Sequence, residues 1–117
     1  MFEPASTEDE ARLASLARSL APPRARVDVL WTYHRTNGPL ARASAEYYVN
    51  VTPAYLRTFY ERLFRKRGWV PCEKTIFDPK DVDAYRDGYN VARIEIPDVN
   101  EVRTYTIDLE WSIPNSC

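Results

Sequence analysis

Residues 52–69 read TPAYLRTFYERLFRKRGW, and this stretch has the start, the apolar face and the end of one amphipathic helix. Thr52 is a typical N-cap residue, and Pro53 suits the first helical position, where its missing N–H costs nothing. The apolar residues recur at helical spacing: Leu56, Phe59, Tyr60, Leu63 and Phe64. Cations in the last turn and Gly68 after it predict where the helix ends.

On both sides of this central helix the pattern changes to a period of two, which is typical of half-buried strands. Val27, Val29, Trp31 and Tyr33 are predicted to face the core, and the polar set Arg26, Asp28, Thr32 and His34 to face solvent. The predicted strands are 26–34, 43–51, 69–77, 89–96 and 104–113. Residues 79–86 follow an Asp-Pro start and predict a short helix.

An N-terminal helix is also expected, with Thr7 as its cap and Glu10 reaching back in a capping box. The predicted order is α-β-β-α-β-(short α)-β-β within a single domain, residues 1–117. Strands with one apolar and one polar face indicate an antiparallel-rich sheet of about five strands with helices packed on one face. The fold class is therefore predicted to be α+β.

Composition excludes several classes of protein. The formal charge is −1, so there is no global field to attract nucleic acid, and no apolar run is long enough to span a membrane. The acidic N-terminus has no signal peptide, which favours the cytoplasm by default, or the periplasm or envelope if an export segment was removed. Free thiols at Cys72 and Cys117 are favoured if Met1 is the native start, although the sequence leaves a disulfide open.

The central helix carries a recognisable pattern, F-Y-x-x-x-[L/F]-x-x-x-G-W, from Phe59-Tyr60 through Phe64 to Gly68-Trp69. With an alternating strand before it, this pattern resembles small bacterial lipoprotein-like and immunity-type α+β domains. The resemblance implies a strand that leads into a helix ending at Gly-Trp. It also implies a cell-envelope or protein-binding role without a known catalytic set.

The predicted open face of the sheet is the candidate site for a partner protein. Tyr and Arg among short polar residues form the composition of a protein-binding surface. A dense acidic run, DPKDVDAYRDG at 78–88, is a second candidate contact for a basic partner. The predicted partner-binding residues are Arg42, Glu46, Tyr48, Asp81, Asp83, Asp108 and Glu110.

Two other functional classes compete with this hypothesis. A nucleic-acid-acting enzyme or toxin would use His34 with the central-helix cations Arg57, Arg62, Arg65, Lys66 and Arg67, but Glu61 is placed to neutralise Arg65. A small-ligand domain would use a pocket between helix and sheet, yet the three tryptophans are more simply interpreted as core. No zinc spacing or EF-hand loop is present, so no metal, cofactor or catalytic residue is predicted.

Overall fold

The computed structural model describes residues 4–76 and 78–117. Within them the chain forms an α+β fold with a six-stranded antiparallel sheet and two helices on one face. The elements are α1 (Thr7–Ser19), β1 (Arg26–His34), β2 (Leu40–Val51), α2 (Pro53–Lys66), β3 (Val70–Pro71), β4 (Val82–Asp87), β5 (Asn90–Glu95) and β6 (Val102–Ser112). The predicted fold class is confirmed, with one strand more than expected.

The strand order is β1-β2-β6-β5-β4-β3. After the β1–β2 hairpin, α2 carries the chain across the sheet to its far edge. The antiparallel run from β3 to β6 then returns, so that β6 fills the gap beside β2. As a result, the two longest strands, β2 and β6, lie next to each other inside the described sheet, each with a strand on both sides.

The central helix forms as the sequence predicts. The Thr52 side chain accepts a hydrogen bond from the Tyr55 N–H at 3.1 Å, Pro53 lies in the first turn, and Gly68 has a left-handed φ of 81°. A larger residue at Gly68 would be strained in that conformation. No helix in the described part of the chain is long and apolar enough to cross a membrane.

Buried tyrosines connect the helices to the sheet. Tyr47 of β2 donates its hydroxyl to the Ala17 carbonyl at 2.6 Å, and Tyr60 of α2 donates to the Leu20 carbonyl at 2.8 Å. Tyr105 of β6 completes the chain by bonding the Tyr60 hydroxyl. Burial raises the pKa of all three phenols far above the usual value. These bonds satisfy carbonyls at the C-terminal end of α1, where a helix leaves its acceptors unpaired.

The region after the central helix differs from the prediction. Val82–Asp87 is a strand paired with β5, so the prediction of a short helix over 79–86 is wrong. The strand predicted over 69–77 is only the pair Val70–Pro71, and Phe77 lies outside the described residues. The Asp-Pro pair predicted a helix start, but hairpin pairing decides the structure here, because Gly88 (φ 58°) allows β4 and β5 to fold back on each other.

A β-bulge in β1 changes which side chains face the core. Val29 pairs with Ala45 and Trp31 with the next β2 residue, Ser44, so Leu30 is the extra residue. Because one inserted residue reverses the alternation, every side chain after it changes face. Trp31 and Tyr33 are about half exposed (48% and 49%), so the prediction that they lie in the core is wrong.

Candidate functional site

The face of the sheet opposite the helices carries most of the predicted contact residues. Along β2 and β6 they alternate with side chains that are buried under the helices, such as Ala43, Tyr47 and Ile107. The strand register places Arg42 opposite Glu110, and Ser44 opposite Asp108. Arg42, Glu46, Tyr48, Asp108 and Glu110 therefore share one surface, which we call the open face.

The other two predicted contact residues lie elsewhere. Asp83 is on the helix side of β4, where its carboxylate pairs with Lys74 Nζ at 2.9 Å and lies 3.9 Å from Arg57 Nε. Asp81 precedes β4, and its carbonyl accepts the Ile96 N–H at 2.9 Å. The structure thus places Asp83 away from the open face, whereas Asp78, at the start of the acidic run, lines a cleft together with Asp108.

The open face also contains an aromatic pair that the sequence did not assign to it. Trp31 and Tyr33 lie on this face because the bulge reverses the alternation of β1, and both lie beside Arg42. A depression of about 270 Å³ lies beside them, lined by Trp31, Arg42, Arg93 and Asp108 among others. One sequence signal marked the bulge: the run Val29-Leu30-Trp31 has three consecutive apolar residues and breaks strict alternation.

Charged groups on this face are arranged in cross-strand positions. Arg42 Nε pairs with Glu110 Oε2 at 2.7 Å, and the Arg26 guanidinium lies 4.1 Å from the Tyr48 ring centre. By contrast, Asp28 lies directly opposite Glu46. Like charges in that position are mildly destabilising, and a cation from another molecule would relieve the repulsion.

The far end of the open face is bounded by a disulfide. Cys72 and Cys117 are bonded, which closes a loop with a sequence separation of 45 residues. The favoured expectation of free thiols is therefore not what the structure has. A cleft of about 300 Å³ lies beside the disulfide, with Asp108 and Arg93 in its wall. Because these two residues also line the depression beside Trp31, the two hollows are adjacent.

His34 does not lie where the alternation placed it. The bulge turns it to the helix side, where its Nδ1 contacts a Glu10 carboxylate oxygen, and the Thr32 hydroxyl donates to the other. Glu10 is available because α1 is capped one residue earlier than predicted, by Ser6 and Asp9. His34 thus joins α1 to β1, while Arg67 bonds Ser19 at the opposite end of α1.

The remaining cations of α2 are partly neutralised. Arg65 lies 3.7 Å from Glu61, as the spacing predicts, and Arg57 lies near Asp83.

A hollow of about 790 Å³ lies between the 22–25 connection and the end of β2, with Tyr48 and Tyr55 in its wall. Among residues 4–76 and 78–117, no three His, Cys, Asp or Glu side chains converge as metal ligands would.

The Glu10 contact predicts a dependence of stability on acid. The Thr32 hydroxyl, and after it the His34 ring, lowers the pKa of the Glu10 carboxyl from its ordinary value of 4.5. A lowered folded-state pKa adds stability above 4.5 that is lost as the pH falls through the folded-state value. We expect the difference in unfolding free energy between wild type and Glu10→Gln to shrink over that range.

Chemical denaturation at a series of pH values measures this difference. Glu8→Gln, an exposed change in the same helical turn, is the control and should show no such shrinkage. A wild-type advantage over Glu10→Gln that is as large at about pH 2 as at about pH 6 would contradict the assignment.

Comparisons of this chain with protein-family models, with curated proteins and with solved structures find no match.

Proposed function

We propose that this protein is a non-catalytic interaction module that binds a partner protein through its open face, in the manner of an immunity, inhibitor or accessory envelope protein. The observation that carries the proposal is the exposure of Trp31 and Tyr33 beside Arg42 on that face. Tryptophan, tyrosine and arginine are the residue types most enriched where binding energy is concentrated.

Exposed aromatic rings at this position need an explanation. The bulge at Leu30 turns two large aromatic side chains onto the open face, where each is about half exposed. Burying such a side chain is worth about 1.5–3 kcal/mol, so leaving both half exposed forgoes stability. A partner that covers them recovers that free energy on binding, and bulges often re-aim side chains at functional sites.

The charges on the open face favour a protein over nucleic acid. Arg26, Arg35, Arg42 and Arg93 share the face with as many acids, namely Asp28, Glu46, Asp108 and Glu110, so the cations there are not in excess. Binding to a phosphate backbone needs an excess of cations. Mixed charges around an aromatic centre resemble the polar rim of a protein interface, where they set orientation and association rate.

The disulfide supports an extracytoplasmic version of this role. Bonds such as Cys72–Cys117 persist in oxidising compartments, including the periplasm and the cell surface. An accessory envelope protein would work in that environment.

The test is the affinity of Trp31→Ala for the partner that wild-type bait captures from the source organism. We expect the dissociation constant to rise roughly 30-fold, which corresponds to a loss of about 2 kcal/mol at a binding hot spot. Tyr89→Ala, at a ring that is equally exposed (45%) in the β4–β5 turn, is the matched control and should bind within about twofold of wild type. Equal affinity of the Trp31 variant would contradict the proposal.

A further inference from the structure

The outer edge of β1 is free of any strand in the described part of the chain. β1 is nine residues long and stands at one end of the strand order, whereas the opposite edge strand, β3, has only two residues. Long edge strands present a row of unpaired backbone donors and acceptors to other chains. β1 also exposes Leu30, Trp31 and Tyr33.

Neither helix hydrogen-bonds the backbone of β1 in the described part of the chain. α1 runs above β1 and β2 and reaches β6, since Tyr47 bonds its Ala17 carbonyl, and its Arg12 lies over Trp111 and bonds Asn90. α2 is farther across the sheet, packed on Tyr85 and Tyr105. The Glu10 side chain of α1 reaches Thr32 and His34 of β1 from the helix side of the sheet.

Backbone direction identifies which β1 groups are available. The Arg35 N–H bonds the Leu40 carbonyl at 2.9 Å, so the backbone N–H and C=O of Arg35 point toward β2. In an antiparallel ladder the direction of these backbone groups alternates from residue to residue, so those of Tyr33 also point toward β2. The N–H and C=O groups of Thr32 and His34 point to the free edge.

One antiparallel register matches this edge with itself. With Thr32 opposite Thr32 of a second copy, Trp31 lies opposite Tyr33 of that copy, and all these rings are on the open face. Beyond them the bulge removes Leu30 from the pairing, so Arg35 falls opposite Asp28, again on the same face. The two-fold axis repeats both contacts.

We infer that two copies of this chain pair antiparallel through β1, centred on Thr32, to form one continuous sheet. The strand that pairs with this edge is that of a second copy, because the edge is self-complementary. Aromatic pairs at the centre are flanked by Arg35–Asp28 ion pairs. A one-residue shift would place Trp31 opposite a residue on the other face and lose both contacts. This goes beyond the proposed function, since it uses the edge of the sheet; it shares Trp31 and Tyr33 with the proposed partner surface and leaves the rest of the open face of each copy accessible.

The first test is the molar mass in sedimentation equilibrium across a concentration series. Wild type should approach twice the 13.6 kDa of one chain as the concentration rises. Thr32→Pro removes the outward N–H at an edge position where proline is tolerated, and should raise the dimer dissociation constant roughly tenfold or more. Thr32→Ala loses the same Glu10 contact but keeps the N–H, so it should dimerise like wild type.

A charge exchange tests the register even if Thr32→Pro fails to fold. Asp28→Arg and Arg35→Asp should each weaken dimerisation, because each places like charges opposite one another. An equimolar mixture of the two variants restores both ion pairs across the interface, and should dimerise more strongly than either alone. Asp98→Arg, in the exposed loop before β6, is the remote control and should have no effect.

A wild-type protein that stays monomeric at every concentration overturns the inference. So does an equimolar mixture of the two charge variants that dimerises no more strongly than either variant alone. A monomer whose partner capture is lost in Thr32→Pro but not in Thr32→Ala would assign the edge to a strand of another protein, and also overturns it. A monomer that still depends on Trp31 for capture overturns the dimer alone and leaves the proposed function standing.

Discussion

Replacing Tyr60 by alanine is expected to lower the free energy of unfolding by about 3–5 kcal/mol, a large part of the total for a small domain. Tyr60 is fully buried, stacks edge-on against Phe59 and Tyr105, and bonds both the Leu20 carbonyl and the Tyr105 hydroxyl. Alanine removes the ring packing and leaves both polar partners without a bond. The C-terminal end of α1 would lose one of its two tyrosine contacts.

Urea unfolding followed by circular dichroism measures this loss. Tyr60→Phe keeps the ring and should cost only about 1–3 kcal/mol, the penalty for buried polar groups without partners. Tyr55→Ala changes an exposed ring on the same helix and should stay within about 0.5 kcal/mol of wild type. Equal losses for the Tyr60 and Tyr55 alanine variants would show that the tyrosine network does not hold the helices on the sheet.

Removing the disulfide with Cys72→Ser and Cys117→Ser together should lower stability by about 2–4 kcal/mol. The bond closes a loop with a sequence separation of 45 residues and so restricts the unfolded chain. In the folded protein the C-terminal segment keeps other contacts, since Asn115 donates to the Tyr89 carbonyl and Ile113 to that of Pro39. The fold should therefore persist, and the loss should appear mainly as a lower unfolding midpoint.

Unfolding with and without a reductant provides the control for this prediction. Reduction should destabilise the wild type by about as much as the double substitution does, and should leave the double serine variant unchanged. A wild type whose unfolding midpoint is insensitive to reductant would mean that the two cysteines are not bonded in the folded protein.

Local sequence signals were sufficient where short-range and tertiary preferences agree. The cap at Thr52, the apolar face through Phe64 and the stop at Gly68 all lie within one helix, and the structure has each of them. The alternation of β6 likewise survives, because that strand lies in the centre of the sheet and one of its faces is covered by helices. Arg42 and Glu110 could therefore be placed on one face from the sequence.

The predictions that failed concern features that are set by pairing between strands. The bulge at Leu30 exists only relative to β2, and it decides that Trp31 faces out and His34 faces α1. The local sequence assigns Asp83 to a helix turn because its neighbours resemble a cap, but pairing with β5 makes it part of a strand. Such choices depend on partners distant in sequence, which local periodicity does not include.

The most direct test of the open face as the partner-binding surface is site-specific photo-crosslinking. A benzoylphenylalanine at Tyr33 should crosslink the captured partner, while the same group at Tyr89, which is similarly exposed, should not. A crosslink to a second copy is recognised by its mass and counted separately. If the partner crosslinks at Tyr89 and not at Tyr33, the open face is not the binding surface.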